Sequence, residues 1–206
     1  MSYVLVHLLG DTASGHAVRL TDHLRAQRTP TSIFVGDHPP HHEVKRSFVE
    51  PPTPMTGVCI GHGGPTGIGP TPERIWANAS EIGTLFEQRR LYAYACNTAG
   101  GLESLGARAI QAGVVVFVGH DRTLEAPLPP AEQRMVESVA GAAIIAFIDG
   151  LDDEVALINA IDDAALEIIP DGVPLEFTAS RDQPNNWTQR QLFDKLASSL
   201  HVDRRA

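Results

Sequence analysis

The stretch LYAYACNTAGGLESLGARAIQAGVVVFVG, residues 91–119, reads as strand, turn, helix and strand in succession. Leu91 to Ala95 is a short apolar run that ends at Cys96. Leu102 to Ala112 has helical spacing and is closed by Gly113. Val114 to Val118 is a β-branched run closed by Gly119. The same alternation runs through the rest of the chain. Tyr3 to Leu9, Ser32 to Val35 and Thr56 to Ile60 read as strands. Ala13 to Gln27, with Thr12 as N-cap, reads as a helix, and another is expected between Pro72 and Arg89. Asp37 to Pro54 is rich in Pro and His and reads as a loop with at most a short strand near Ser47 to Val49. Ala131 to Ile148, Asp152 to Ile168 and Asn186 to Leu200 read as helices, and Val173 to Thr178 as a sixth strand and a possible sheet edge. Strands alternating with helices give an α/β fold with a mainly parallel central sheet.

At 206 residues, 43% hydrophobic and 20% charged, the chain fits one globular domain over residues 1–206. Sixteen Lys and Arg against 25 Asp and Glu give a net charge of -9, so nucleic acid is not expected as a partner. No anionic membrane surface is expected either, and no apolar run is long enough to span a bilayer. Two cysteines do not make a disulfide framework and point to a reducing, cytoplasmic setting.

Sites in open α/β sheets form at the carboxyl ends of the strands. The polar residues there are Asp11, Asp37, His62, Cys96, Asn97, His120 and Asp121. His62 lies among glycines just past the third strand, and Cys96 ends the fourth. Strands consecutive in sequence are commonly neighbours, so the two side chains are expected side by side. A base beside a thiol populates the nucleophilic thiolate, and Gly63 or Gly64 could offer an N–H to an oxyanion. The helix after the cysteine turn is expected to point its N-terminus at that turn and favour the thiolate. Taken singly, a strand-end cysteine is commonly a small core residue and a histidine after a strand a loop residue; their coincidence at one edge favours chemistry. Cys59 lies inside its strand and reads as core.

Other motifs fail. The sixth residue after Cys96 is Leu102, which excludes a phosphatase loop, and residues 61–69 contain neither a Walker lysine nor the dinucleotide pattern. His38, His41 and His42 sit in the Pro-rich segment without a second ligand type, so no metal and no cofactor are expected.

The segments CIGHGG (59–64), YACNTAGG (94–101) and AGVVVFVG (112–119) resemble the caspase-like cysteine peptidases, most closely the CHAT and clostripain-like branches. The likeness covers roughly residues 3–121 in order and spacing. It implies a caspase-like three-layer sandwich, a catalytic dyad of His62 and Cys96, an oxyanion donor at Gly63 and a protein or peptide substrate. A regulatory protein partner is compatible with it. In clostripain-like relatives an acid near Asp121 holds a basic P1 side chain; Asp11 and Asp37 would add negative charge, although Asp121 could equally be a turn residue or helix cap. The chain departs from many CHAT-like sequences after the third segment, where it reads HDRTLE (120–125) in place of a tryptophan-bearing stretch. Two other readings stay open. One is an inactive module that binds at the same edge. The other is a cysteine amidohydrolase whose base would be His120 or His201.

Overall fold

The computed structural model describes residues 2–11, 17–50, 55–124, 130–169, 174–180 and 183–205. Its frame is a six-stranded sheet of β1 (Tyr3–Leu8), β2 (Ser32–Gly36), β3 (Thr56–Ile60), β7 (Arg90–Tyr94), β8 (Val116–His120) and β11 (Leu200–Arg204). The order is β11-β8-β7-β3-β1-β2. Five strands run parallel, and β11 joins the edge of β8 antiparallel. The strands at the middle of the sheet are apolar on both faces because helices cover both faces.

Alternation along each strand divides the core in two. Tyr3, Leu5, Val58, Ile60, Tyr92 and Val118 face one layer. That layer contains α1 (Val18–Gln27), α5 (Pro130–Ile148), α6 (Glu154–Ile168) and α7 (Gln189–Ser199). Val4, Val6, Cys59, Leu91, Ala93 and Phe117 face the other, which contains α2 (His41–Ser47), α3 (Ala79–Leu85) and α4 (Leu105–Gln111). Each fully buried large side chain contributes about 1.5–3 kcal/mol. Among the described residues no helix is long and apolar enough to cross a membrane.

Several elements differ from the sequence expectation. The Pro- and His-rich segment contains α2, not a loop with a strand at Ser47. Pro40 sits at its N-cap with φ -64, Glu43 lies in its first turn, Lys45 and Arg46 lie in its last, and Val44 is buried. The glycine-rich turn is a small antiparallel sheet of β4 (His62–Gly64), β5 (Gly67–Gly69) and β6 (Ala77–Asn78). The helix expected from Pro72 starts only at Ala79, because Asn78 and Glu81 form a reciprocal capping box there. The helix expected from Leu102 starts at Leu105, where the Ser104 side chain accepts the Ala107 N–H.

The strand read at Val114 to Val118 is shifted to Val116–His120, so His120 lies inside a strand. The sixth strand is β11, not the Val173 segment. Val173 lies outside the described residues, and β9 (Pro174–Ser180) pairs with β10 (Gln183–Thr188) in a separate hairpin. Thr12, read as an N-cap, also lies outside the described residues. The acidic turn from Asp149 to Asp153 is tied into the fold. Asp149 pairs with Arg28, Asp152 with Arg90 and Arg204, and Asp153 caps α6.

Candidate active site

The ladder between β3 and β7 ends at Ile60 opposite Tyr94, and Gly61 N–H donates to the Tyr94 carbonyl at 3.3 Å. His62 and Cys96 each follow that last pair by two residues. Beyond that pair His62 opens the separate hairpin strand β4, and Cys96 lies in a turn. The two segments also touch. A methyl group at Gly63 would stand 2.4 Å from the Cys96 carbonyl oxygen, 2.6 Å from Thr98 Cγ2 and 2.8 Å from Ala95 Cβ. Glycine is required there because the histidine hairpin lies against the cysteine turn.

The cysteine turn is tightly tied. Asn97 has φ 52, a left-handed conformation that asparagine tolerates better than most residues. Thr98 Oγ1 donates to the Ala95 carbonyl at 3.1 Å. Thr98 and Ala99 N–H groups donate to the His120 carbonyl, and Asn97 N–H to that of Arg122. Cys96 is half-buried and in no disulfide, and its Sγ accepts the Leu124 N–H at 3.2 Å. A donor aimed at sulfur favours the thiolate over the thiol. Helix α4 does not supply that effect as expected. Its first turn is already engaged, with Gly106 N–H on the Thr98 carbonyl and Ala107 N–H on Ser104. Cys59 is fully buried, and burial pushes its thiol far up.

The histidine is held from two sides. His62 pairs with Gly69 across the β4–β5 hairpin, and the Arg108 guanidinium donates to the Pro65 carbonyl at the hairpin's tip. Its Nε2 lies 3.0 Å from both carboxylate oxygens of Asp11. Asp11, expected to line a substrate pocket, is thus the partner of His62. The sequence marked it as a strand-end acid but held no sign of this pairing.

The other two acids are also engaged within the chain. Asp37 is exposed and bonds Arg74 at 3.0 Å, and that hydrogen bond holds its carboxyl below the ordinary range. Asp121 lies beside the cysteine turn, since a methyl at Gly100 would meet its Cβ at 2.7 Å. Burial works against its charge, but hydrogen bonds with Arg122 at 2.9 Å and His201 at 3.2 Å outweigh it and keep the carboxyl low.

His120 is fully buried, and burial pushes it down to about 3. Ser199 Oγ donates to the Leu196 carbonyl, so it accepts from His120 Nδ1 at 2.9 Å and leaves Nε2 buried without a hydrogen-bond partner. Extending the β7–β8 register by two residues puts His120 beside Tyr94, whose ring it meets edge-on at 5.8 Å. His201 is held between Asp121 and Glu154, the latter 3.8 Å away. Neither imidazole belongs to the hairpin that lies against the cysteine turn.

One titratable group was not found from sequence. Glu137 on α5 has a buried, unpartnered Oε1, and burial pushes its carboxyl up to about 7. It acts electrostatically on Tyr94, as does Cys96. The signal available was one acid set among the apolar residues of α5. Among the described residues no three His, Cys, Asp or Glu side chains gather as metal ligands would. His41, one of the clustered histidines, uses Nε2 to bond the Trp76 carbonyl at 3.0 Å and sets its ring edge-on to that indole. Compared with protein-family models and with curated proteins, the chain matches none.

Proposed function

We propose that this chain is a cysteine endopeptidase of caspase-like fold, with Cys96 as nucleophile and His62 as its base and acid. The observation that carries the reading is the contact between the histidine hairpin and the cysteine turn. Each residue follows by two the Ile60–Tyr94 pair that ends two adjacent parallel strands, and Gly63 packs against the Cys96 carbonyl. Asp11 occupies His62 Nε2, so Nδ1 is the nitrogen left for the thiol.

The chemistry follows from those roles. The Cys96 thiol proton passes to His62 Nδ1, giving thiolate and imidazolium. The thiolate attacks the scissile carbonyl and forms a carbon–sulfur bond, while the carbonyl electron pair moves to oxygen. The Gly63 and Cys96 N–H groups receive that oxyanion. The imidazolium returns its proton to the leaving amine as the carbon–nitrogen bond breaks, leaving a thioester. His62 then takes a proton from water, which attacks the thioester. The acid product departs and the proton returns to sulfur.

A basic P1 preference is part of this proposal and rests on Asp121, the acid beside the cysteine turn. A P1 guanidinium or ammonium would compete there with Arg122 for the carboxylate. Two cysteines not joined in a disulfide suit a reducing, cytoplasmic setting. The test is a fluorogenic peptide series with Arg, Lys, Asp, Asn and Leu at P1, run on wild type, Cys96→Ala and His62→Ala. Turnover by wild type alone, fastest after Arg or Lys, is expected. Turnover that survives Cys96→Ala overturns the assignment, and fastest cleavage after Asp or Leu overturns the P1 preference.

A further inference from the structure

The geometry points to Asp11 as a positioning residue: we infer that its carboxylate fixes the tautomer and orientation of His62 and makes the catalytic pair a triad. The inference rests on the peptidase reading for its role in turnover, but the structural pairing stands apart from it. A carboxylate has no proton to donate at neutral pH, so a partner nitrogen 3.0 Å from both its oxygens must carry the hydrogen. Nε2 is therefore the protonated nitrogen of neutral His62. Nδ1 keeps the lone pair that can accept a thiol proton. When that proton arrives the imidazole becomes a cation, and the bond to Asp11 becomes charge-assisted at both ends. The carboxylate thus keeps Nδ1, and not Nε2, as the accepting nitrogen.

The pairing is built into the fold. Asp11 follows β1 through Gly10, where a Cβ would stand 2.6 Å from the Pro70 carbonyl oxygen and 2.7 Å from Pro70 Cβ. Pro70 directly follows β5, and Gly69 at the end of β5 is the hairpin partner of His62. Close packing of Gly10 on Pro70 therefore sets the carboxylate and the imidazole from the same short segment. The Asp11 side chain is 36% exposed and that of His62 20%, so the imidazole is the more enclosed partner.

Two measurements on purified full-length protein test this. The first is the rate of iodoacetamide alkylation at Cys96, read by intact mass in wild type, Asp11→Asn, Asp11→Ala and His62→Ala, with folding checked by circular dichroism. It needs no substrate. The expected result is a fall of about 10- to 100-fold in both Asp11 variants, as for loss of a charge-assisted hydrogen bond. The second is steady-state turnover across the P1 series, where kcat falls by a similar factor with KM unchanged for every P1 residue. Long-range proton–nitrogen NMR of the imidazoles gives the matching signature, an Nε2–H form of His62 in wild type that is no longer enforced in Asp11→Asn. An alkylation rate unchanged in Asp11→Asn but reduced in His62→Ala overturns the inference and leaves the peptidase reading intact. A rise in KM confined to Arg and Lys substrates also overturns it, because Asp11 would then bind substrate. Slowed alkylation in the Asp11 variants, with no peptide turned over by wild type, sustains the positioning role and removes the peptidase reading.

Discussion

Two histidine–aspartate pairs lie at the carboxyl edge of the sheet, and their bond lengths barely distinguish them. His62 meets Asp11 at 3.0 Å, and His201 meets Asp121 at 3.2 Å. Their surroundings differ. The first pair joins the end of β1 to a glycine hairpin that lies against the cysteine turn. The second is crowded: Asp121 also bonds Arg122, and His201 also faces Glu154, whose carboxylate accepts the Val202 N–H. It ties the antiparallel edge strand β11 to the loop after β8. A histidine beside a carboxylate is thus a common structural tie. What sets one pair apart is that its hairpin lies against a thiol-bearing turn.

Substituting the two histidines in parallel breaks that comparison most directly. His62→Ala should lower kcat/KM for peptide cleavage by about 1,000-fold, because general acid–base catalysis contributes on that order. His201→Ala removes a partly exposed tie and should change kcat/KM by less than about threefold. Equal losses in the two variants would mean that the β11 pair shares in the chemistry.

The two glycines after His62 offer a second contrast. At Gly63 a methyl group meets backbone and side chain within 2.4–2.8 Å, whereas at Gly64 nothing lies within 4 Å. Gly63→Ala should cost about 1–3 kcal/mol by overpacking and should push the hairpin off the cysteine turn. Gly64→Ala should stay within about 0.5 kcal/mol of wild type. Urea denaturation measures both, and activity should fall only in the first. Equal stability in the two variants would show that the hairpin is not wedged against Cys96.

The part of this comparison that was legible in the sequence is the part written in short range. Val114 to Val118, Thr56 to Ile60 and Leu91 to Ala95 announce buried parallel strands because almost every side chain is apolar. β11 did not, because Leu200, His201, Val202, Asp203 and Arg204 mix charge with apolar residues at an edge and follow a helix without a break. Helix α2 was hidden by Pro39 and Pro40, although a proline before a helix is compatible with its start. The capping box of Asn78 and Glu81 was readable and would have corrected the start of α3. His62 and Cys96 were visible as strand ends among glycines. The Asp11–His62 bond was not, because it depends on Gly10 packing against Pro70, sixty residues further along the chain. The burial of His120 was hidden for a related reason. A two-residue error in β8 moves that histidine from the turn into the strand.

The buried side of the same edge has its own pH signature. Native His120 stays neutral down to about 3, while the unfolded chain takes up a proton near the ordinary value of 6.5. The unfolded state therefore binds the extra proton, and stability falls as pH drops from about 6.5 toward 3, by up to about 1.4 kcal/mol per pH unit. Glu137 acts in the opposite sense. Its native carboxyl holds a proton up to about 7, which the unfolded chain releases near 4.5. Stability therefore falls as pH rises between those values. Urea titrations from about pH 4 to about pH 8 separate the two. His120→Phe should flatten the acid limb, and Glu137→Gln should flatten the decline toward neutrality. An unchanged acid limb in His120→Phe would show that its imidazole protonates freely in the native state.

The smallest expected effect concerns how each half of the dyad is held. The histidine half needs no unusual backbone, because His62–Gly64 is an ordinary strand of a hairpin. The cysteine half does, since Asn97 sits at φ 52 directly after Cys96. A left-handed residue there bends the chain sharply and lets the N–H groups of 97, 98 and 99 reach the β8 side. Alanine pays a steric cost in that conformation that asparagine partly avoids and glycine does not meet. Asn97→Ala should therefore lose about 1 kcal/mol, a drop of about 2–4 °C in Tm for a chain of this size. Asn97→Gly should be close to neutral in stability, because relief of strain is offset by the greater freedom of glycine in the unfolded chain. That freedom has a second consequence in the native turn. Glycine holds the left-handed state less firmly, so the Leu124 N–H should be less well aimed at sulfur. A modest fall in the alkylation rate of Cys96, with Tm unchanged, is the expected result for Asn97→Gly. A Tm lowered as far by glycine as by alanine would mean that the Asn97 side chain, not its backbone angle, is what the turn requires.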